Sequence, residues 1–267
     1  MCRRILATLA AALPLLLPMG AAAAERMTDE QVKKLIQDID EGYQTWKKDL
    51  EKANLDDAVI RSADQTINVK DFLKDFDKAV EVLKDRFKSE YSAGPEVLAL
   101  LRRGSDVELR HRHQGETARS SWGALGAKLE SLAHAYEIPW PVESMNVQPA
   151  RLNDGELAAR VEQMEKAAKQ LQEEAEKAAK NNKSIDKATR ESLKDSIKRI
   201  EPMAKEVRER VKDERPAAVE VGQLLAQTTK VREQLTRLSL PYAEGPGWRG
   251  VESGAAVVAR AYRLPTS

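Results

Sequence analysis

The chain contains one cysteine, Cys2, and three histidines, and aromatic residues make up 4% of its 267 positions. A lone cysteine excludes an internal disulfide framework, and without a C-x-x-C-H run covalent c-type haem is excluded as well. Scarce aromatics argue against a β-sandwich, whose strands draw on aromatic and β-branched residues. An excess of one charge is also missing. The 44 Lys and Arg stand against 43 Asp and Glu, so the chain lacks the basic surplus of a general nucleic-acid binder. Glycine-rich phosphate loops, the G-x-S-x-G elbow and the H-E-x-x-H zinc motif do not occur in the sequence. These absences predict a non-enzymatic protein with no cofactor. What the sequence has in quantity is charge, 33% of residues, interleaved with apolar side chains at helical spacing.

The first two dozen residues read as an address. Arg3 and Arg4 precede an apolar run from Ile5 to Met19 interrupted by Pro14 and Pro18, and Ala21 to Ala24 follow ahead of Glu25. That order predicts a secretory signal peptide over residues 1–24, cleaved after Ala23 or Ala24. The run is too short and too proline-broken for a membrane span, and Cys2 stands at its wrong end for a lipoprotein. Removing it takes away two arginines and no acid, leaving 42 basic against 43 acidic side chains and no cysteine. No later stretch reaches transmembrane length without charges. The expectation is a soluble periplasmic or extracellular protein.

After the signal, Val32, Ile36, Ile39, Tyr43, Trp46, Leu50 and Ala53 step by four and three, the seam of a helix packing on helices. Thr28 and Gln31 have the spacing of a capping box ahead of that seam. At an offset of 125, Leu157, Val161, Met164, Ala168, Leu171, Ala175 and Ala178 fill the same seven positions. A second seam, Val69, Leu73, Phe76, Val80, Leu83 and Phe87, is matched by Leu193, Ile197, Ile200, Ala204, Val207 and Val211.

In the third helix identities appear. Glu96, Val97, Leu100, Leu101 and Val107 match Glu220, Val221, Leu224, Leu225 and Val231. The fourth runs Trp122, Leu125, Leu129, Leu132 and Tyr136 against Trp248, Val251, Ala255, Val258 and Tyr262. Each run ends at a proline, Pro139 and Pro265. The pattern predicts an all-α fold made by tandem duplication of a four-helix antiparallel bundle. The copies span residues 25–139 and 152–267, joined by a proline-rich linker over 140–151. The first copy's helices fall near 29–53, 70–91, 95–113 and 119–137. Alanine at several seam positions predicts that the second bundle is the narrower or looser one.

Few residues suggest chemistry. His111 and His113 lie two apart, which on a helix points them to opposite sides. In the second copy the positions aligned with His111, His113 and His134 hold Leu235, Arg237 and Arg260, so the repeated unit folds without histidine there. Glu108 and His111 have Glu-x-x-His spacing, but the second such motif of a di-metal bundle is absent. No metal ligands are therefore assigned. Arg102, Arg103, Arg110, His111, Arg112, His113 and Arg119 form the one basic cluster, a candidate patch for an anionic partner. Trp140, between two prolines, either anchors a partner or packs the linker onto the first bundle.

The reading that follows is an exported interaction or scaffold protein that binds a protein partner or itself, with neither a nucleic acid nor a membrane span. A periplasmic chaperone-like stress protein and a ligand or metal sensor are the alternatives.

Overall fold

The computed structural model describes residues 25–61, 66–88, 91–110, 116–181, 186–238 and 244–264. The predicted signal peptide lies outside these residues. The elements are α1 (Asp29–Lys52), β1 (Val59–Arg61), β2 (Thr66–Asn68), α2 (Val69–Arg86), α3 (Gly94–Arg110), α4 (Glu116–Ala135), α5 (Asp154–Asn181), α6 (Lys187–Lys198), α7 (Ile200–Lys212), α8 (Ala218–Leu238) and α9 (Pro246–Ala261). The chain is a helical bundle protein. Its described strands are a single antiparallel pair, Val59 opposite Asn68 and Arg61 opposite Thr66, within the stretch between α1 and α2 that the sequence marks only as a break. Among the described residues no helix is long and apolar enough to cross a membrane.

Helix packing closes two rings of neighbours. In the first half α1 lies against α2 and α4, and α3 against α2 and α4. In the second half α5 lies against α6, α7 and α9, while α8 lies against α6, α7 and α9. Within each half consecutive helices are neighbours, the arrangement of an up-and-down bundle, with the strand pair in the longer connection from α1 to α2. Each half has its own hydrophobic cluster, one running from Val32 to Val142 and the other from Leu157 to Tyr262. The seams supply them. Val32, Ile36, Ile39, Tyr43, Trp46 and Leu50 are all buried, as are Leu157, Val161, Met164, Ala168, Leu171 and Ala175. Each fully buried Val, Leu, Ile or Met among them contributes ~1.5–3 kcal/mol, and the alanines less. The last position of the first seam, Ala53, is exposed because α1 ends there, with Ala53 as its C-cap.

The second seam of the second half is not one helix. It divides at Arg199 into α6 and α7. Pro202 is the cause: it has no N–H to give the Lys198 carbonyl, so the ladder breaks one turn ahead of it. Arg199 keeps helical angles, φ −74° and ψ −22°, and Leu193, Ile197, Ile200 and Ala204 still face one core.

The two cores are built differently. In the first, Tyr43 stacks on Phe76 at 4.8 Å, and Trp46 packs on Trp122 at 4.9 Å and edge-on to Phe72 at 6.4 Å. In the second, the contact of α9 with α5 is made by glycine. A Cβ on Gly250 would stand 2.6 Å from the Ala167 Cβ, and one on Gly254 2.6 Å from the Met164 Cβ. On Gly247 it would stand 2.6 Å from the Leu171 backbone nitrogen. Alanine and glycine there draw the helices together, so the second bundle is narrow at this contact.

Gly247→Ala is therefore expected to lower stability by ~1–3 kcal/mol, the usual cost of overpacking. Gly123→Ala, in α4 with nothing within 4 Å of the added carbon, is expected to raise it by about 0.5–1 kcal/mol. Urea unfolding followed by circular dichroism measures both.

Candidate functional site

The segment leading into each long helix crosses to the other bundle. Residues 25–28 precede α1, and residues 149–153 precede α5. Both helices start with a capping box. The Thr28 hydroxyl accepts from the Gln31 N–H at 3.2 Å while the Thr28 N–H donates to the Gln31 side chain at 2.9 Å. The Asn153 side chain accepts from the Glu156 N–H at 2.7 Å, and the Asn153 N–H donates to Glu156 at 3.1 Å. These boxes satisfy the free N–H groups one turn in. The first residues of the two helices, Asp29 and Asp154, cap each other. The Asp29 N–H donates to Asp154 Oδ2 and the Asp154 N–H to Asp29 Oδ2, each at 2.7 Å.

An arginine three residues earlier completes each half. Arg151 donates to Asp29 Oδ1 at 2.6 Å and to the Met27 carbonyl at 2.9 Å. Arg26 donates to the Asp154 carboxylate and, at 2.5 Å, to the Leu152 carbonyl. The side chains of Arg151 and Arg26 are 2% and 8% exposed, and each aspartate is 12% exposed. Burial, and next the charge of Arg26, push the Arg151 guanidinium below its ordinary range, with Asp29 opposing. The Arg151 guanidinium also lies 5.9 Å above the Tyr136 ring, a cation–π distance.

Two further contacts fasten the arms. Glu25 accepts from the Ala217 and Ala218 N–H groups, at 3.1 and 3.2 Å, at the start of α8. The Ala150 N–H donates to the Tyr136 carbonyl at 3.0 Å.

A cavity of about 550 Å3 opens beside this clasp, between the C-terminal ends of α4 and α9. His134 and Glu137 reach it from the first bundle, Arg260 and Arg263 from the second, and Arg26 and Arg151 from the arms. Arg260 lies 3.5 Å from Glu137, and Arg263 donates to the His134 carbonyl.

The basic cluster singled out in the sequence is placed in part. Arg102 donates to the Met145 carbonyl at 2.9 Å and so ties the linker to α3. Arg103 donates to the Ala99 carbonyl of its own helix at 3.1 Å, and Arg119 is exposed on α4. His111, Arg112 and His113 lie outside the described residues, as does the Arg110 side chain. Glu108 accepts from the Trp122 indole N–H at 2.9 Å, which gives that carboxylate a packing role. Trp140 packs onto the first core where Gly104 leaves room for its ring. Among the described residues no group of three or more His, Cys, Asp or Glu is placed to hold a metal ion.

Sequence reasoning passed over Arg26, Asp29, Arg151 and Asp154. Their signal was present, since Arg-x-x-Asp runs into the capping box at both places, 125 residues apart. No protein-family model matches the chain, and neither do curated proteins or solved structures.

Removing one partner of a buried pair leaves a desolvated charge, at a cost of ~3–5 kcal/mol. Asp29→Asn and Arg151→Gln should each destabilise by that order, and the double variant by clearly less than the sum. A double-mutant cycle in urea measures the coupling; strict additivity would contradict the clasp.

Alkaline behaviour follows from three buried tyrosines, Tyr136 and Tyr262 at the junction and Tyr43 in the first core. Burial first of all pushes the Tyr262 phenol up to about 12, with Arg26 opposing, and raises Tyr136 and Tyr43 as well. The unfolded chain releases these protons near pH ~10 while the folded chain keeps them. Stability should thus hold to about that pH and fall as pH rises towards 12, with phenolate absorbance appearing together with unfolding.

Proposed function

We propose that this chain is an exported, non-enzymatic scaffold, built by tandem duplication of one helical bundle and presenting the two copies to a protein partner in a fixed relation. The observation that carries this reading is the exchanged clasp. Equivalent residues of two equivalent segments, Arg26 with Asp29 and Arg151 with Asp154, satisfy one another across the junction. Matching seam residues and the same cycle of helix neighbours in both halves support the duplication. Two stiff units joined by buried ion pairs and a tied-down linker suit a spacer or platform better than a hinge.

The chaperone reading calls for a contiguous apolar face. Among the described residues the large exposed apolar side chains, Val59, Val82, Tyr91, Leu109, Met145 and Val219, belong to separate elements or loops, and this favours a dedicated partner over a range of clients.

Crosslinking of the tagged chain in the cells that export it, followed by purification, tests the reading. One dominant partner in every repeat is the expected result, with the recovered protein starting at Ala24 or Glu25. A broad set of unfolded clients would move the assignment to a chaperone. An unprocessed N-terminus would overturn export through a cleaved signal.

A further inference from the structure

The cavity at the junction has the size of a small-molecule site and a lining with two characters. Five arginines border it, Arg26, Arg151, Arg160, Arg260 and Arg263, against the carboxylates of Glu25 and Glu137. Part of this charge is matched within the protein. Arg26 and Arg151 are paired with Asp154 and Asp29, Arg260 faces Glu137, and Glu25 caps α8. Arg160, on α5, and Arg263, just past α9, have no carboxylate partner among the described residues, and both are exposed. Met27, Leu152, Val257 and Ala261 give the wall an apolar stretch, beside Ser131, His134 and Tyr262.

We propose that this cavity binds an amphipathic organic anion, a carboxylate or phosphate monoester carried on an alkyl or aryl body. A guanidinium presents a planar fork of donors that matches either head group, and Arg160 and Arg263 are the two whose forks face no carboxylate. The body of the ligand lies on Met27, Leu152 and Val257. Because the walls come from both bundles and both arms, the site exists only while the clasp is closed. Its occupant is a small molecule, so it is separate from the protein partner proposed above and is tested without that partner.

The test uses the intact exported chain, with octyl phosphate, octanoate, inorganic phosphate and octanol as probes, read by titration calorimetry and by the shift in thermal unfolding. Saturable binding of octyl phosphate or octanoate, at least about tenfold tighter than inorganic phosphate or octanol, is expected. The arm that binds more tightly identifies the head group. The R160Q/R263Q variant should weaken binding at least about tenfold, whereas Lys177→Gln, on the exposed surface of α5, should leave it unchanged. If the double variant unfolds, R160Q alone serves, since its side chain is exposed. Absence of saturable binding by both alkyl anions overturns the proposal. So does octanol or inorganic phosphate binding as tightly, or binding indifferent to the arginines.

Discussion

Two α-helices that meet at their N-termini bring together the positive ends of their dipoles and several N–H groups without partners. The junction of this protein is such a meeting, between α1 and α5. It is made favourable by exchange: each helix lends its first aspartate to the other's terminus, and each arm lends an arginine to that aspartate. Four charges sum to zero inside a site where a single one would be costly. The path of the linker, the position of the Tyr136 ring under Arg151 and the cavity beside the clasp all depend on this exchange.

The bundles reach similar topologies by different packing. In the first, large rings fill the space, and Tyr43 also donates its O–H to the Leu73 carbonyl at 2.5 Å. In the second, Ala168 and Ile200 sit on the seams in place of rings, and the smaller core is closed by bringing α9 onto α5 through Gly247, Gly250 and Gly254. Removing a ring leaves a cavity unless the helices can close over it. Glycine on α9 is what lets them close.

Much of the helical fold was legible in the sequence because seam periodicity is set by local geometry. From Val32 to Leu50 and from Trp122 to Tyr136, the residues spaced by three and four are the buried ones. The division at Arg199 was legible too, in Pro202, but the unbroken seam from Leu193 to Val211 hid it. The junction was hidden for a different reason. Arg26 and Asp154 are 128 residues apart, and no periodicity links a residue ahead of one helix to a residue at the start of another. Arg102 shows the converse. In sequence it belongs to a basic cluster, and in the fold its guanidinium holds a linker carbonyl, which composition does not foretell.

The arm of residues 25–28 ties two residues ahead of α1 to the far side of the molecule. Glu25 covers the start of α8 and Arg26 pairs with Asp154, so both belong structurally to the second bundle. A peptidase that cut between Arg26 and Met27 would leave every described helix whole. It would also strip α8 of its cap and leave the Asp154 carboxylate without its counter-charge. Damage confined to two residues outside every helix would thus be felt more than 120 residues away in sequence.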